Sequence, residues 1–587
     1  MILQALKEYY DRLAVDPDSG IAPEGWEWKE IPYIFVLDEV GSLVRIEDTR
    51  EIIGKKPKGK LFLVPMGVKR AVDISANLLW DNPTYAFGIV NTEGLDVKKK
   101  NNALSRAPLQ KASFVERIEN ELPAIPKTNA LLHFLATIDQ ARLFQEAAWN
   151  DLYETNANLS FRFDGTMELF CQSQEIREHL DRIRSEKVKD SICSVTGEND
   201  QIAILHSSIK GVYGTQTTGG SIVSFNFDSA LSYNLGSPQQ RTQGKNAPIG
   251  ESAMFAYTTA LNRLLARESP QHLLIGDATV VFWSEKKTHF EVDFASFFSE
   301  PPKDDPNAGT RSLRNLFESP KTGGYLEDNG DTKFYILGLS PNAARISVRF
   351  WEVGTISSYA ERIRQHFYDL AIVKPPSDPE FYSLWRILVN VAIQDKSENI
   401  PPNLAGEFIR SIMEGKPYPA TILQQVLRRI RSDTEYRVKP VRAALVKAYL
   451  NRYQRTHPNN QEKEITMALD TGQTSTGYRL GRLFAVLEKI QEEANPGLNA
   501  TIKEKYYGAA CSSPVTVFGT LMRLKNHHLA KMSNKGRVIN LERLVGEIVS
   551  RVDDFPAHLD LHEQGLFAIG YYHQMQDFFT KKENKND

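Results

Sequence analysis

The chain has 587 residues, 41% of them hydrophobic and 25% charged, and its 71 Lys and Arg against 73 Asp and Glu give a net charge of −2. That length accommodates about two to four domains with a sizeable core, and the charge balance excludes a global polycation, so nucleic-acid contacts have to come from local basic surfaces. Cys171, Cys193 and Cys511 stand far apart with no CxxC, which excludes a disulfide scaffold and speaks against a zinc knuckle at Cys193. The opening MILQALKEYYDRLA reads as an amphipathic helix rather than a signal peptide. No apolar run reaches membrane-spanning length, and the expected location is the cytoplasm, with no membrane partner.

Residues 26–53 alternate in the manner of strands, with a turn at Gly41. GKKPKGK comes next, where Lys55, Lys56, Lys58 and Lys60 form an exposed cationic loop before the strand LFLVP. A helix is predicted at 74–80. A second basic loop, VKKKNN at 97–102, carries Lys98, Lys99 and Lys100 and leads into a helix at 111–122. Residues 130–149 predict one amphipathic helix, 159–170 a strand and 173–187 a charged helix.

Two loops then stand out. Residues 206–226, HSSIKGVYGTQTTGGSIVSFN, lie between strand-like runs at 202–205 and 221–227. Gly211, Gly214, Gly219 and Gly220 let backbone approach a ligand closely. Lys210 adds a cation, and Thr215, Gln216, Thr217 and Thr218 add uncharged donors and acceptors suited to phosphates and base edges. The order is neither a Walker loop nor GxGxxG, and an ordinary polar hairpin loop has the same composition. The second loop, 236–250, carries Gln239, Gln240, Arg241, Gln243, Lys245 and Asn246. The two flank one short strand pattern at 222–233, which predicts that they share one end of a sheet or hairpin.

A helix at 251–267 and a strand at 278–283 come next, then an acidic proline-rich loop at 301–307. Residues 334–370 read strand, turn, strand, helix. The segment KPPSDPE breaks the pattern, and the chain beyond it is almost wholly helical, at 381–393, 404–413, 421–430, 440–455, 479–494, 514–532, 541–552 and 561–580. The last four predict an up-and-down bundle. The fold class is therefore α+β: an N-terminal mixed region with antiparallel sheet elements (1–373), a linker (374–380), a helical connecting region (381–466) and an all-α bundle (467–587). Basic residues cluster on these helices, with Arg428, Arg429, Arg442 and Arg452 in one run and Arg523, Lys525 and Lys531 in another beside His527 and His528. Each run has the composition of a solvated helix face; together with the lysine loops they suit a nucleic-acid track. The chain has no HExxH, GxSxG or compact carboxylate set, so an enzyme would need a site assembled from distant residues. The sequence calls for no metal and no cofactor.

Several pieces, in order, carry a family resemblance: MILQALKEYYDRL, LLWDNPTYAFGI, IAILHSSIKGVYGTQTTGGSIVSFN, GKNAPIGESAMFAYTTALNRLL, ILGLSPNAARISVRFW, YRLGRLFAVLEKIQ and GLFAIGYYHQMQDFF. Over nearly its full length the chain resembles the large subunit of the type I-C CRISPR surveillance complex (Cascade). The resemblance implies a non-catalytic protein that reads a short protospacer-adjacent motif (PAM) in double-stranded DNA. It also implies that the subunit promotes duplex opening and R-loop formation and helps recruit a helicase–nuclease. The implied partners are the guide crRNA, target DNA, the backbone and handle-binding subunits, and a small subunit translated from inside the same gene. Met467 follows Gln461-Glu462-Lys463-Glu464 and suits such an internal start. In related complexes a glycine loop, a lysine and a glutamine approach the motif from the minor groove; Gly214, Gly219, Gly220, Lys210 and Gln216 have that chemistry. The lysine loops would then hold the crRNA handle or flanking duplex, and the helical arginines and lysines the separated strands. The alternatives are a nuclease or guide-RNA processing enzyme of the same system, or a scaffold that binds only proteins.

Overall fold

The computed structural model describes residues 2–53, 56–70, 74–189, 191–225, 231, 235–237, 240, 242–275, 278–300, 308–322, 330–401, 403–433, 437–457 and 463–579. The chain divides into two compact units, residues 1–209 with 223–263 and residues 210–222 with 264–587. The architecture is α+β, with small sheets and many helices in the C-terminal half.

In the first unit, residues 26–65 form β1 (Trp26–Glu30), β2 (Tyr33–Leu37), β3 (Leu43–Asp48), β4 (Glu51–Ile53), β5 (Lys56–Lys58) and β6 (Leu61–Pro65); all but β5 follow the predicted pattern, while Lys56–Lys58, expected in a loop, pairs with β4. With β7 (Trp80–Asp81) and β8 (Leu159–Phe163) they build a sheet in the order β3-β2-β8-β7 and two ladders, β1-β6 and β4-β5. The strand β2, YIFVL, is buried at every position, the pattern of a central strand covered on both faces. It pairs in parallel with β8, Tyr33 opposite Leu159, and parallel neighbours need a long crossover. That crossover holds the helices Pro83–Phe87, Val97–Glu121, Pro126–Thr137 and Trp149–Thr155. Phe87, Phe134 and Trp149 close on Phe35 of the sheet with ring centroids 4.9–6.5 Å apart. A two-residue ladder, β9 (Ser191–Ile192) with β10 (Asn199–Asp200), precedes the helix Glu251–Leu264.

Further predictions fail for local reasons. Residues 74–80 are not helical: Leu79 has φ 63°, and the buried Asp81 carboxylate takes the Asn77 N–H (2.8 Å), the Asn82 N–H (2.9 Å) and the Arg70 guanidinium. The basic stretch 97–102 is no loop but the first turns of the Val97–Glu121 helix, capped by Asp96, whose Oδ1 accepts from the Lys99 N–H at 2.8 Å. The 130–149 helix is broken by Asp139, which caps a new turn at Ala141 N–H (2.9 Å). Residues 202–205 and 221–225 form only isolated bridges, Ile202 to Gly250 and Ser221 to Arg345, rather than strands; the rest of the predicted second strand, and most of the 222–233 pattern, lies outside the described residues.

In the second unit β11 (His272–Ile275), β12 (Ala278–Ser284), β13 (Lys333–Asn342) and β14 (Arg345–Thr355) form an antiparallel meander in that order. One face meets Phe290 and Phe294 of the helix His289–Phe298. The strand, turn, strand, helix reading of 334–370 holds, with the helix at Ile356–Leu370; β11 and the helices His289–Phe298 and Ala308–Thr322 were not foreseen, and the predicted loop 301–307 lies outside the described residues. A continuous core runs from Leu273 on β11 to Tyr572 in the last helix. Among the described residues the terminal region has five α-helices rather than four, because Ile502–Ser512 joins Thr476–Ala494, Phe518–Lys531, Lys535–Val549 and Leu561–Phe579. Thr476–Ala494 and Leu561–Phe579 touch backbone to backbone: a Cβ on Gly481 would stand 2.0 Å from Phe567 O, and one on Gly570 2.0 Å from Tyr478 O.

Candidate nucleic-acid interface

The glycine-rich loop is seated on the β13–β14 hairpin. Val212 is buried, and the Tyr213 N–H donates to Thr279 Oγ1 of β12 at 2.9 Å. Thr215 gives both its N–H (3.2 Å) and its hydroxyl (2.7 Å) to Val212 O, closing one turn. Gly214 sits there at φ 79°, and a Cβ on it would stand 3.1 Å from the Pro341 ring. The Gly219 N–H donates to Gln216 O at 2.8 Å and closes a second turn, with Gly219 at φ 86°. Gly220 is buried, a Cβ there falling 2.9 Å from Ile346 Cγ1. Ser221 then runs parallel to β14: its N–H donates to Ala344 O (3.3 Å) and its carbonyl accepts from the Ile346 N–H (3.0 Å).

The consequence is a fixed platform with a polar crest. Gln216, Thr217 and Thr218 are exposed at the crest, Lys210 is exposed at the loop's start, and Thr215 is half-buried. Gly214, Gly219 and Gly220 shape and seat the loop; buried Gly220 is not a contact residue. Beside the crest the hairpin turn exposes Asn342, Ala343 and Ala344, with Ala343 at φ 52°. Asn342, an exposed amide able to donate and accept, was not predicted. The signal was present: NAA between two alternating runs marks a tight hairpin tip.

The second loop belongs to the first unit and is closed on itself. The Thr242 N–H donates to Ser237 O (3.0 Å), and the Gln240 N–H to Ser237 Oγ (3.2 Å). Asn246 spends its amide donors on Leu235 O (2.6 Å) and Gln243 O (2.9 Å), so it holds the loop rather than presenting an amide. Gln243 is buried, Gln240 and Lys245 are exposed, and Arg241 and Gln239 lie outside the described residues. The expectation that both loops share one end of a sheet or hairpin rests on the 222–233 strand pattern, most of which lies outside the described residues. Elsewhere in this unit Lys58 and Lys60 are exposed on and just after the β4–β5 hairpin, Lys60 at 3.2 Å from Glu51; Lys55 and the Lys56 side chain lie outside the described residues. Cys193 is structural, its Sγ accepting from the Gly250 N–H at 3.2 Å.

The arginine run on the helices separates into two kinds of residue. Arg428 is exposed on the helix Ala420–Ser432. Arg442 is fully buried, giving Nη2 to Asp395 (3.0 Å), Nη1 to Asp433 (2.9 Å) and Nε to Asn390 O (3.0 Å). Arg452 is buried too, its guanidinium on Lys416 O and Ser411 O (3.0 Å each) and over the Tyr418 ring. Arg429 is turned in, its side chain 15% exposed and shared between Asp395 and Asp433. These three hold the helices together and are withdrawn as nucleic-acid contacts, because a paired, desolvated guanidinium has no free edge for phosphate. Lys525 is withdrawn as well: its side chain is 10% exposed and 3.7 Å from Glu542. What remains outside is a stripe on Phe518–Lys531, where Arg523, His527 and Lys531 share a face at four-residue spacing. His528 faces a different way, toward Asn495. Among the described residues no group of His, Cys, Asp and Glu could hold a metal ion, and no helix is long and apolar enough to cross a membrane.

The described residues thus present a seated glycine loop with an exposed polar crest and, on the helix Phe518–Lys531, a basic stripe. Comparison with protein families gives the class: residues 6–579 match the model of a CRISPR-associated protein family, Cas_Csd1. The chain belongs to that family, the large subunit of the type I-C CRISPR surveillance complex. No curated protein matches it.

Proposed function

We propose that this chain reads a short motif in duplex DNA through the seated loop and so starts guide-directed opening, with no catalytic step of its own. The observation that carries the reading is that the loop rests on the hairpin formed by SPNAARIS, so that two segments distant in sequence present one polar edge: Gln216, Thr217, Thr218 and Asn342. Uncharged amides and hydroxyls suit base edges, where a good contact discriminates by about 1–3 kcal/mol; phosphate contacts from Lys210, Lys245, Lys58 and Lys60 would set register without specifying sequence. Motif binding then nucleates an R-loop whose extension along the crRNA is nearly balanced. Arg428 and the Arg523–His527–Lys531 stripe would track a separated strand, and the helicase–nuclease would act on the opened DNA.

The test uses the complex purified with its crRNA. Duplexes with and without the motif are titrated against wild type, Gln216→Ala, Lys210→Ala and Gly214→Ala. Gln216→Ala should compress the ratio of the two affinities at least fivefold; Lys210→Ala should weaken both alike and flatten the salt dependence. Gly214→Ala, strained at positive φ by about 1–2 kcal/mol, should act as Gln216→Ala does by unseating the crest. Unchanged discrimination in both Gln216→Ala and Gly214→Ala would overturn the loop assignment.

A further inference from the structure

The geometry points to the N-terminal end of the Val97–Glu121 helix as a docking arm for a protein subunit, one offering an apolar groove with an acidic rim, rather than as a phosphate contact. The C-terminal half of this helix is pinned by Phe114 and Ile118, both fully buried. From Val97 to Arg106 no residue is buried, and Ala107 is the first that is. Val97, Leu104 and Pro108 succeed one another at seven- and four-residue spacing and so share a face. Val97 is 77% exposed, Leu104 49% and neighbouring Leu109 59%. Val97, Leu104 and the exposed Pro108 make an apolar stripe along that face, where single exposed residues would be ordinary; Leu109, five residues beyond Leu104, lies about 140° round the helix.

The cations flank that patch. Among the described residues Lys99 meets Asp96 at 3.2 Å, and no carboxylate comes within 4.0 Å of the Lys98 or Lys100 ammonium. Three lysines at a helix N-terminus oppose its dipole, and so short an unpacked helical stretch is marginal in water; the arrangement is not there to stabilise the helix. Pro108 adds a third feature, since it lacks the N–H that the Leu104 carbonyl would accept. Phosphates would satisfy the lysines but leave Val97, Leu104 and Pro108 in water. A groove lined by aliphatic or aromatic side chains and rimmed by Asp and Glu satisfies both, the helix-in-groove mode with charge complementarity at its edge. The proposal rests on the chain's place in a multi-subunit complex and not on the loop that reads DNA.

The experiment takes the full chain, co-expressed with its neighbouring genes and a CRISPR array. A photoreactive benzoylphenylalanine replaces Leu104, and the cross-linked product is sequenced. The expected product is one protein subunit, cross-linked within a segment where apolar residues are flanked by Asp or Glu. Val97→Asp with Leu104→Asp should lower recovery of that subunit at least tenfold, with the melting temperature of the isolated chain and motif discrimination unchanged. Lys98→Gln, Lys99→Gln and Lys100→Gln together should weaken recovery in a salt-dependent way. Amide exchange at 97–106 should be fast in the isolated chain and slow in the complex. A cross-link to crRNA or DNA, a cross-link to a basic segment, no cross-link, or undiminished recovery with both aspartates would each overturn the proposal. Failure of the Gln216→Ala test would leave it standing.

Discussion

Arg442→Ala separates a structural arginine from a nucleic-acid contact. The wild-type guanidinium is held by Asp395, Asp433 and the Asn390 and Arg437 carbonyls at 2.9–3.2 Å, with none of its side chain exposed. Breaking a buried pair costs about 3–5 kcal/mol, because the surviving partner keeps its charge without its counter-ion. Here the carboxylates are not abandoned: Asp395 keeps Lys439 at 2.6 Å, and Asp433 keeps Arg429 at 3.7 Å. Both are partly open to water, so the lower end, about 3 kcal/mol, is expected. At roughly 2–4 °C per kcal/mol for domains of 150–250 residues, and less for a larger cooperative unit, the melt should fall by about 5 °C or more. Burial pushes the Asp433 carboxyl up, but Arg442, Lys439 and Arg429 outweigh it and hold the carboxyl below its usual range; without Arg442 it should titrate higher. Calorimetry of the purified chain reads the melt, and anisotropy with a labelled single strand at fixed salt reads binding. Arg428→Ala, on the exposed face, should move the melt by less than about 0.5 kcal/mol equivalent. An Arg442→Ala chain that melts like wild type but binds the strand more weakly, with a shallower salt slope, would refute the burial argument.

The terminal bundle yields two further tests. Gly481→Ala should destabilise by about 3 kcal/mol, the upper end for overpacking, despite alanine's better helix propensity, since the new Cβ meets the Phe567 carbonyl at 2.0 Å and backbone has no rotamer to yield; an unchanged denaturant midpoint would refute the backbone contact. His573 is fully buried against the Tyr478 hydroxyl at 2.9 Å, and burial, with a smaller push from Lys447, lowers its pKa from 6.5 to about 3. A histidine depressed in this way is neutral in both states above pH 6.5, while below it the unfolded chain takes the proton first, so stability falls with pH between 6.5 and 3. At pH 5 the loss from this residue is about 2 kcal/mol. His573→Gln should therefore lose about that much less than wild type on going from pH 7 to pH 5 in urea titrations; parallel losses would refute the assignment.

How much of this was legible in the sequence depends on whether the deciding interaction is local. The alternation of 334–355 announces β13 and β14 because a strand's period is two and needs no distant partner. The seat of the glycine loop was not legible: Gly214 meets Pro341 and Ser221 meets Ala344 across a stretch of chain that carries no pairing signal. Local caps explain the broken helices, where Asp139 and the positive φ at Leu79 defeat a pattern that hydrophobicity alone continues. The arginines are the more instructive failure, because the signal was there. Counting charge from Arg428 to Arg455 gives a basic run, yet Ala443, Ala444, Leu445, Val446, Ala448, Tyr449 and Leu450 put apolar residues on every side of the helix Pro440–Thr456 as far as Leu450, and it is buried from Pro440 to Arg452. A helix apolar all round is buried, and an arginine on it must be buried and paired. Asp395 and Asp433, and Asp369 near Arg452 at 3.7 Å, are the carboxylates that requirement demands. The same rule read in reverse gives Lys98, Lys99 and Lys100 their different meaning. Their helix begins with no buried residue at all, so its aliphatic side chains are not core, and the lysines cannot be interpreted apart from them. Charge counts nominate a surface; the apolar residues interleaved with the charge decide what that surface meets.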